Sequence, residues 1–170
     1  MNYNKQSGFI PLIPAIIISL VAVGGTAVAS QNALPGNPLY GIKTVAEKIQ
    51  VAITPGNHNK AEVYMEIAGE KLGEIEKLQT RGALTDRITE VTERLQENQN
   101  KALEHADQAK ASGKDVGELI VMLQSNFERQ QQVLSRVLGE VPDQAKDAIR
   151  EAMQNSQRGL NQAIEIQLSQ

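Results

Sequence analysis

The chain contains no cysteine and no tryptophan, and aromatic residues fill 3% of its 170 positions. Without cysteine there is no disulfide, no thiolate metal site and no cysteine nucleophile. An oxidising compartment therefore imposes no redox constraint on it. Without aromatics, a core has to be assembled from alanine, leucine, isoleucine and valine. That suits close-packed helices better than a β-sandwich, which leans on aromatic and β-branched strands. A basic excess is also missing: the net charge is -3, so the phosphate-neutralising face of a nucleic-acid binder is not evident. No segment alternates polar and apolar with the period of a strand. No Gly-x-Ser-x-Gly turn presents a serine. Gly24-Gly25 precedes no Lys-Ser/Thr pair and lies in an apolar run, so no phosphate-cradling loop is present.

What is there begins with a charge-free stretch. From Gly8 to Ala29, 22 positions carry no ionisable side chain, and only Lys5 is charged ahead of them. A run of about 18 or more apolar residues reads as a membrane span. Pro11, Pro14, Gly24 and Gly25 disfavour a buried soluble helix there. Two readings stay open. Ala27-Val28-Ala29 has the small residues of a signal-peptidase site cutting before Ser30. Uncleaved, the same run is long enough to anchor the chain, with Lys5 inside and the body outside. Gly8-Phe9-Ile10-Pro11-Leu12 also resembles the start of type IV pilin-like precursors. That family has a glutamate at the fifth mature position, where Ile13 stands here, so the assembly signal is absent.

Beyond the break Pro35-Gly36-Asn37-Pro38, the spacing predicts five helices. The first runs from Leu39 to Ile53, with Leu39, Ile42, Val45 or Ala46, Ile49 and Ile53 as its buried stripe and Pro38 at its entry. Thr54-Pro55-Gly56 stops it. The second starts at Asn59, with Glu62 completing a capping box, buries Ala61, Tyr64 or Met65, Ala68, Leu72, Ile75 and Leu78, and ends before Gly82. The third is capped by Thr85 and carries Ile88, Val91, Leu95, Ala102, Ala106 and Ala109, with an interruption at Asn98-Gln99. The fourth opens at Asp115 and carries Val116, Leu119, Ile120, Leu123, Phe127, Leu134 and Val137. The fifth starts at Pro142 and carries Ala145, Ile149, Ala152, Ser156, Leu160 and Ala163. Short connections make successive helices antiparallel neighbours. The expected organisation is all-α: residues 1–30 a signal peptide or anchor, 31–82 a helical hairpin, and 83–170 an antiparallel bundle of three long helices forming one unit with the hairpin.

The run Ala33-Leu34-Pro35-Gly36-Asn37-Pro38-Leu39-Tyr40-Gly41-Ile42-Lys43 resembles the opening of a family of uncharacterised bacterial envelope domains. That family places Leu-Pro-Gly-x-Pro-Leu-Tyr-x-Leu/Ile-Lys just outside a membrane segment. A helix, a Thr-Pro turn and a Lys/Arg-Leu-x-Glu core follow in it, matched here by Val45 to Ile53, Thr54-Pro55 and Lys71-Leu72-Gly73-Glu74. Val141 to Gly159 is similar to the family's final helix. The resemblance implies an extracytoplasmic location and a helical fold, and no activity. Physically, Leu34, Pro35, Gly36, Pro38, Leu39, Tyr40 and Lys43 read as a structural clasp: prolines restrict the chain, Gly36 permits a turn, and Leu39 and Tyr40 pin the first helix on the second.

Candidate chemistry is sparse. His58 sits in a turn near Glu62, and His105 beside Glu104 and Asp107 lacks a ligand at i-4 or i+4; both read as exposed side chains. Glu62, Glu66, Glu70 and Glu74 form a strict i, i+4 ladder, mildly repulsive within a helix, which reads as a solvated face or as an acidic ridge for a cation or partner. Met65, Met122 and Met153 fall on three helices and read as core filling. The expectation is a non-enzymatic module with no catalytic residues, cofactor or metal, bound to the membrane through residues 8–29 unless cleaved near Ala29/Ser30. It would offer polar helix faces, or a groove between hairpin and bundle, to an envelope protein. The alternative is a periplasmic metal- or ligand-responsive sensor or chaperone-like bundle.

Overall fold

A computed structural model describes residues 30–168. The targeting segment, the pilin-like start and the cleavage site before Ser30 lie, with all or most of their residues, outside that range. Five helices and no strand occur among the described residues: α1 (Tyr40–Ile53), α2 (Asn57–Thr80), α3 (Thr85–Ala111), α4 (Gly117–Leu138) and α5 (Asp143–Leu168). None of them is long and apolar enough to cross a membrane.

The apolar stripes of α2 to α5 do what their spacing predicts. Ala61, Met65, Ala68, Leu72, Ile75 and Leu78 of α2 share one core with Ile88, Val91, Leu95 and Ala102 of α3, with Leu119, Leu123, Phe127 and Leu134 of α4, and with Ala145, Ile149 and Ala152 of α5. Each fully buried leucine or isoleucine stabilises that core by about 1.5–3 kcal/mol. So α2 is the fourth member of the bundle, packed on α3 and α4, while α5 lies against α3 and α4. Small residues decide the closest approach: a Cβ on Gly159 of α5 would stand 2.5 Å from the Phe127 ring of α4.

The interruption at Asn98-Gln99 is a buried polar layer. Gln99 of α3 donates to Gln130 Oε1 of α4 at 2.5 Å and to Ser156 Oγ of α5 at 2.8 Å, and accepts from Asn155 Nδ2 at 2.7 Å. Gln130 reaches across to the Met65 sulfur of α2 at 3.5 Å. A one-residue slip of any helix would leave buried amides unpaired, so the layer fixes the register of all four.

Helix ends differ from expectation in detail. α2 begins at Asn57, and Asn59 donates to the Pro55 carbonyl instead of capping. Leu84, not Thr85, is the N-cap of α3, and no side chain caps it. Pro38 precedes α1 by two residues; the Asn37 side chain accepts the Leu39 N–H at 2.9 Å there. Asp115 does accept the Gly117 N–H, at 2.9 Å. Gly82 and Gly113 have φ of 60° and 74°, the left-handed turn that ends α2 and α3 where sequence placed it.

The larger correction concerns α1. Its apolar stripe was expected to be buried, but Ile42, Val45, Ile49 and Ile53 are 39–56% exposed. The buried residues of α1 are Tyr40, Lys43 and Gln50. The helix is amphipathic as its spacing predicts, and it is turned the other way round.

Candidate functional site

The turn of α1 follows from what α2 offers it. Glu74 and Lys71 of α2 are buried beneath α1, while Glu66 and Glu70 stand exposed at the edge of the seam, so the docking surface is ionic and α1 meets it with its polar side. Lys71 is fully buried. Its ammonium donates to Glu47 of α1 at 2.6 Å and to Glu74 at 3.0 Å. Lys43 of α1 donates to the same Glu74 oxygen at 2.6 Å, approaches Glu70 at 3.1 Å, and donates to the Gln31 carbonyl at 3.1 Å. The Tyr40 hydroxyl donates to the other Glu74 oxygen at 2.9 Å. The Lys71 and Arg94 cations each lie 5.4 Å from the centre of the Tyr40 ring, close enough for cation–π attraction. Among the described residues no buried side-chain polar atom is left without a partner. That satisfaction is what makes charges tolerable in a low-dielectric setting.

The titration directions fit this geometry. Burial opposes the Lys43 charge, but its hydrogen bond and attraction to Glu74 outweigh burial and hold its pKa above the ordinary lysine value. The Tyr40 phenol is pushed far up, first by burial and then by the Glu74 charge. Burial raises Glu47 despite Lys71. Glu66 is raised by desolvation and then by Glu70, against a hydrogen bond from Gln50.

The motif residues fall around this cluster. Leu34 enters the bundle core. Pro35 and Gly36 occupy the centre of a tight turn closed by Asn37 N–H to the Leu34 carbonyl at 2.9 Å, and Gly36 has φ of 90°. Glycine is required at such a turn position. The Arg87 guanidinium of α3 covers Gly36, within 2.4–2.8 Å of where a Cβ would be. Pro38 is exposed and Leu39 half-buried. Tyr40 and Lys43 carry the contacts to α2. Sequence reasoning missed Glu47, Gln50, Glu70 and Arg94 as partners. The signal that could have found them is charge complementarity between Lys43/Glu47 on one helix and Glu70/Lys71/Glu74 on the next.

The remaining candidates are local. His58 lies in the first turn of α2, 3.6 Å from Glu62. His105 is not the solvated side chain expected: its ring stacks on Tyr64 at 5.4 Å and its Nδ1 lies 3.1 Å from the Asn57 side chain, and desolvation lowers its pKa. Among the described residues no group of three or more His, Asp or Glu is placed to hold a metal ion. A cleft between α1 and α3, floored by Tyr64, Ile67 and Lys71 of α2, has a volume of about 170 Å³. That is below the ~300 Å³ at which small-molecule pockets usually begin, whereas open grooves beside the Leu34–Pro38 turn and beside the Pro55–Asn59 turn, of about 540 and 650 Å³, exceed it.

A family model for a domain of unknown function matches residues 32–144, more than half of the chain. The chain belongs to the DUF5667 family. The matched region takes in the Leu34–Lys43 run, the ionic cluster and α1 to α4 of this DUF5667 protein, and ends as α5 begins. No curated protein and no solved structure matches the chain.

Proposed function

We propose that this DUF5667 protein is a non-enzymatic helical module of the cell envelope, held on the outer face of the cytoplasmic membrane by residues 8–29 and presenting its bundle to another envelope protein. One observation carries the reading: the motif clamps the chain where it enters the bundle. Gln31 is tied through its carbonyl to Lys43, Leu34 is in the core, and Tyr40 and Lys43 are locked on Glu74. Such a clamp matters if the charge-free segment is retained, because it sets the bundle in a fixed relation to whatever holds that segment. The interaction role is supported by a bundle whose buried polar side chains, among the described residues, all find partners within the protein and leave the exposed helix faces for contact. The acid ladder is answered by the protein's own Lys43, Lys71 and Gln50, so nothing singles out the cation-responsive alternative.

The test is in-cell crosslinking of a C-terminally tagged full chain, with fractionation and mass spectrometry. The reading predicts a chain that stays with membranes after an alkaline wash, a peptide running unbroken through Ala29-Ser30, and a specific envelope protein crosslinked through α2 to α5. A soluble chain beginning at Ser30, with no partner captured, overturns it.

A further inference from the structure

α1 buries its polar side on the bundle and turns Ile42, Val45, Ile49 and Ile53 outward. These positions are spaced i, i+3, i+7 and i+11, so they form one line along the helix. The sole carboxylate of α1, Glu47, points away from this line to Lys71, and Lys48 is exposed at its flank. The outward half of α1 is therefore aliphatic, with Lys48 at one flank and no acid of its own, while the exposed Glu66 and Glu70 of α2 stand across the seam.

We infer that this stripe lies in the headgroup region of a phospholipid bilayer, with α1 parallel to the membrane plane and the bundle lying on its side. The inference rests on the membrane-held reading above and deepens it. The charge-free run Gly8–Ala29 joins the described chain at Ser30, and the next residue, Gln31, is bonded to Lys43 one turn into α1. A membrane-embedded segment leaving from that point puts α1 at the bilayer surface. An apolar-faced, lysine-edged helix is what such a surface accepts. A second copy is a poorer occupant: the four side chains expose roughly 350 Å² by their fractional accessibilities, against ~800 Å² per partner in a standard interface. Patch size alone would not mark the site, since monomers commonly expose patches that large. Its position on a helix docked polar side inward does.

The chain has no cysteine, so single labels are unambiguous. The full chain is reconstituted into phosphatidylethanolamine/phosphatidylglycerol vesicles with an environment-sensitive fluorophore at Val45→Cys, at Asp147→Cys on exposed α5, or at Val21→Cys. Lipids nitroxide-labelled near the headgroup serve as quenchers for positions 45 and 147, and lipids labelled deep in the acyl chain for position 21. The expected result is a blue shift and loss of fluorescence at position 45 and neither at 147. Quenching at 21 with position 45 still in water overturns the surface-helix inference and leaves the membrane-held reading standing. Quenching at 45 without 21 keeps the inference and removes the anchor. Quenching at neither position ends both. A label at 45 shielded from water but not quenched by lipid, with Ile49→Cys chains forming disulfide dimers, assigns the stripe to a second copy and overturns the inference.

Discussion

Behind Glu74, four helices are held by alanine, leucine and isoleucine side chains at or near zero exposure. In front of it, α1 is held by two lysines, a tyrosine and three glutamates. The two regions fail differently. An apolar core loses stability in proportion to the atoms removed. A buried ionic cluster is worth little over an apolar equivalent while intact, yet losing one member strands the rest. The bundle is thus graded in its response, and the clasp is all-or-none.

The sharpest break of that comparison is Lys71→Ala. It strands Glu47, takes one of two lysines from Glu74, and should cost about 3–5 kcal/mol. Urea denaturation measures it, and a loss no larger than that of a surface lysine would contradict the clasp. Tyr40→Phe removes one hydrogen bond to a carboxylate and should cost about 1.5–3 kcal/mol. Its effect should be local: amide exchange rises across Tyr40–Ile53 while α3 to α5 stay protected. Gly159→Ala sharpens the other side, since a Cβ there meets the Phe127 ring; overpacking should cost about 1–3 kcal/mol, spread over the bundle and absent from α1.

Alkali should separate the two regions without mutation. Lys43 and Tyr40 both have raised pKa values in the folded state. Each group's contribution is fully present below its ordinary value, 10.5 for Lys43 and 10.0 for Tyr40. Above that the unfolded form releases its proton more readily than the folded one, and stability falls until the folded value is passed. Protease cleavage within α1 should therefore rise above about pH 10 before the bundle's helical signal is lost. The smallest effect is expected at Lys101→Ala: its exposed pair with Glu104 should leave the denaturation midpoint unmoved.

The bundle was legible in the sequence because periodicity there coincides with burial. Leu123 or Ile149 has one environment available, and Gly82 and Gly113 mark turns that need their backbone freedom. α1 was legible as a helix but not in its orientation. Its spacing says that it has two unlike faces; which face meets the protein depends on what α2 presents. Glu66 and Glu70 are the solvated acids that their spacing suggests, and only Glu74 is drawn beneath α1, where Lys43 and Lys71 answer it. The Gln99 layer was visible only as a gap in a stripe, because its partners Gln130, Asn155 and Ser156 lie on two other helices. Tyr40 and Lys43 stood out through the motif, and Glu74 through the Lys71-Leu72-Gly73-Glu74 run, but their meeting required the fold.

The central claim, that α1 docks through its polar side, is tested most directly by disulfide trapping. The buried Gln50 side chain of α1 acts on Glu66 across the α1–α2 seam, whereas Ile49 faces outward. The account predicts that a Gln50→Cys/Glu66→Cys chain oxidises readily to an internal disulfide while Ile49→Cys/Glu66→Cys stays reduced. Ready oxidation of the second pair with the first left reduced would mean that the apolar stripe packs inward, and would contradict it.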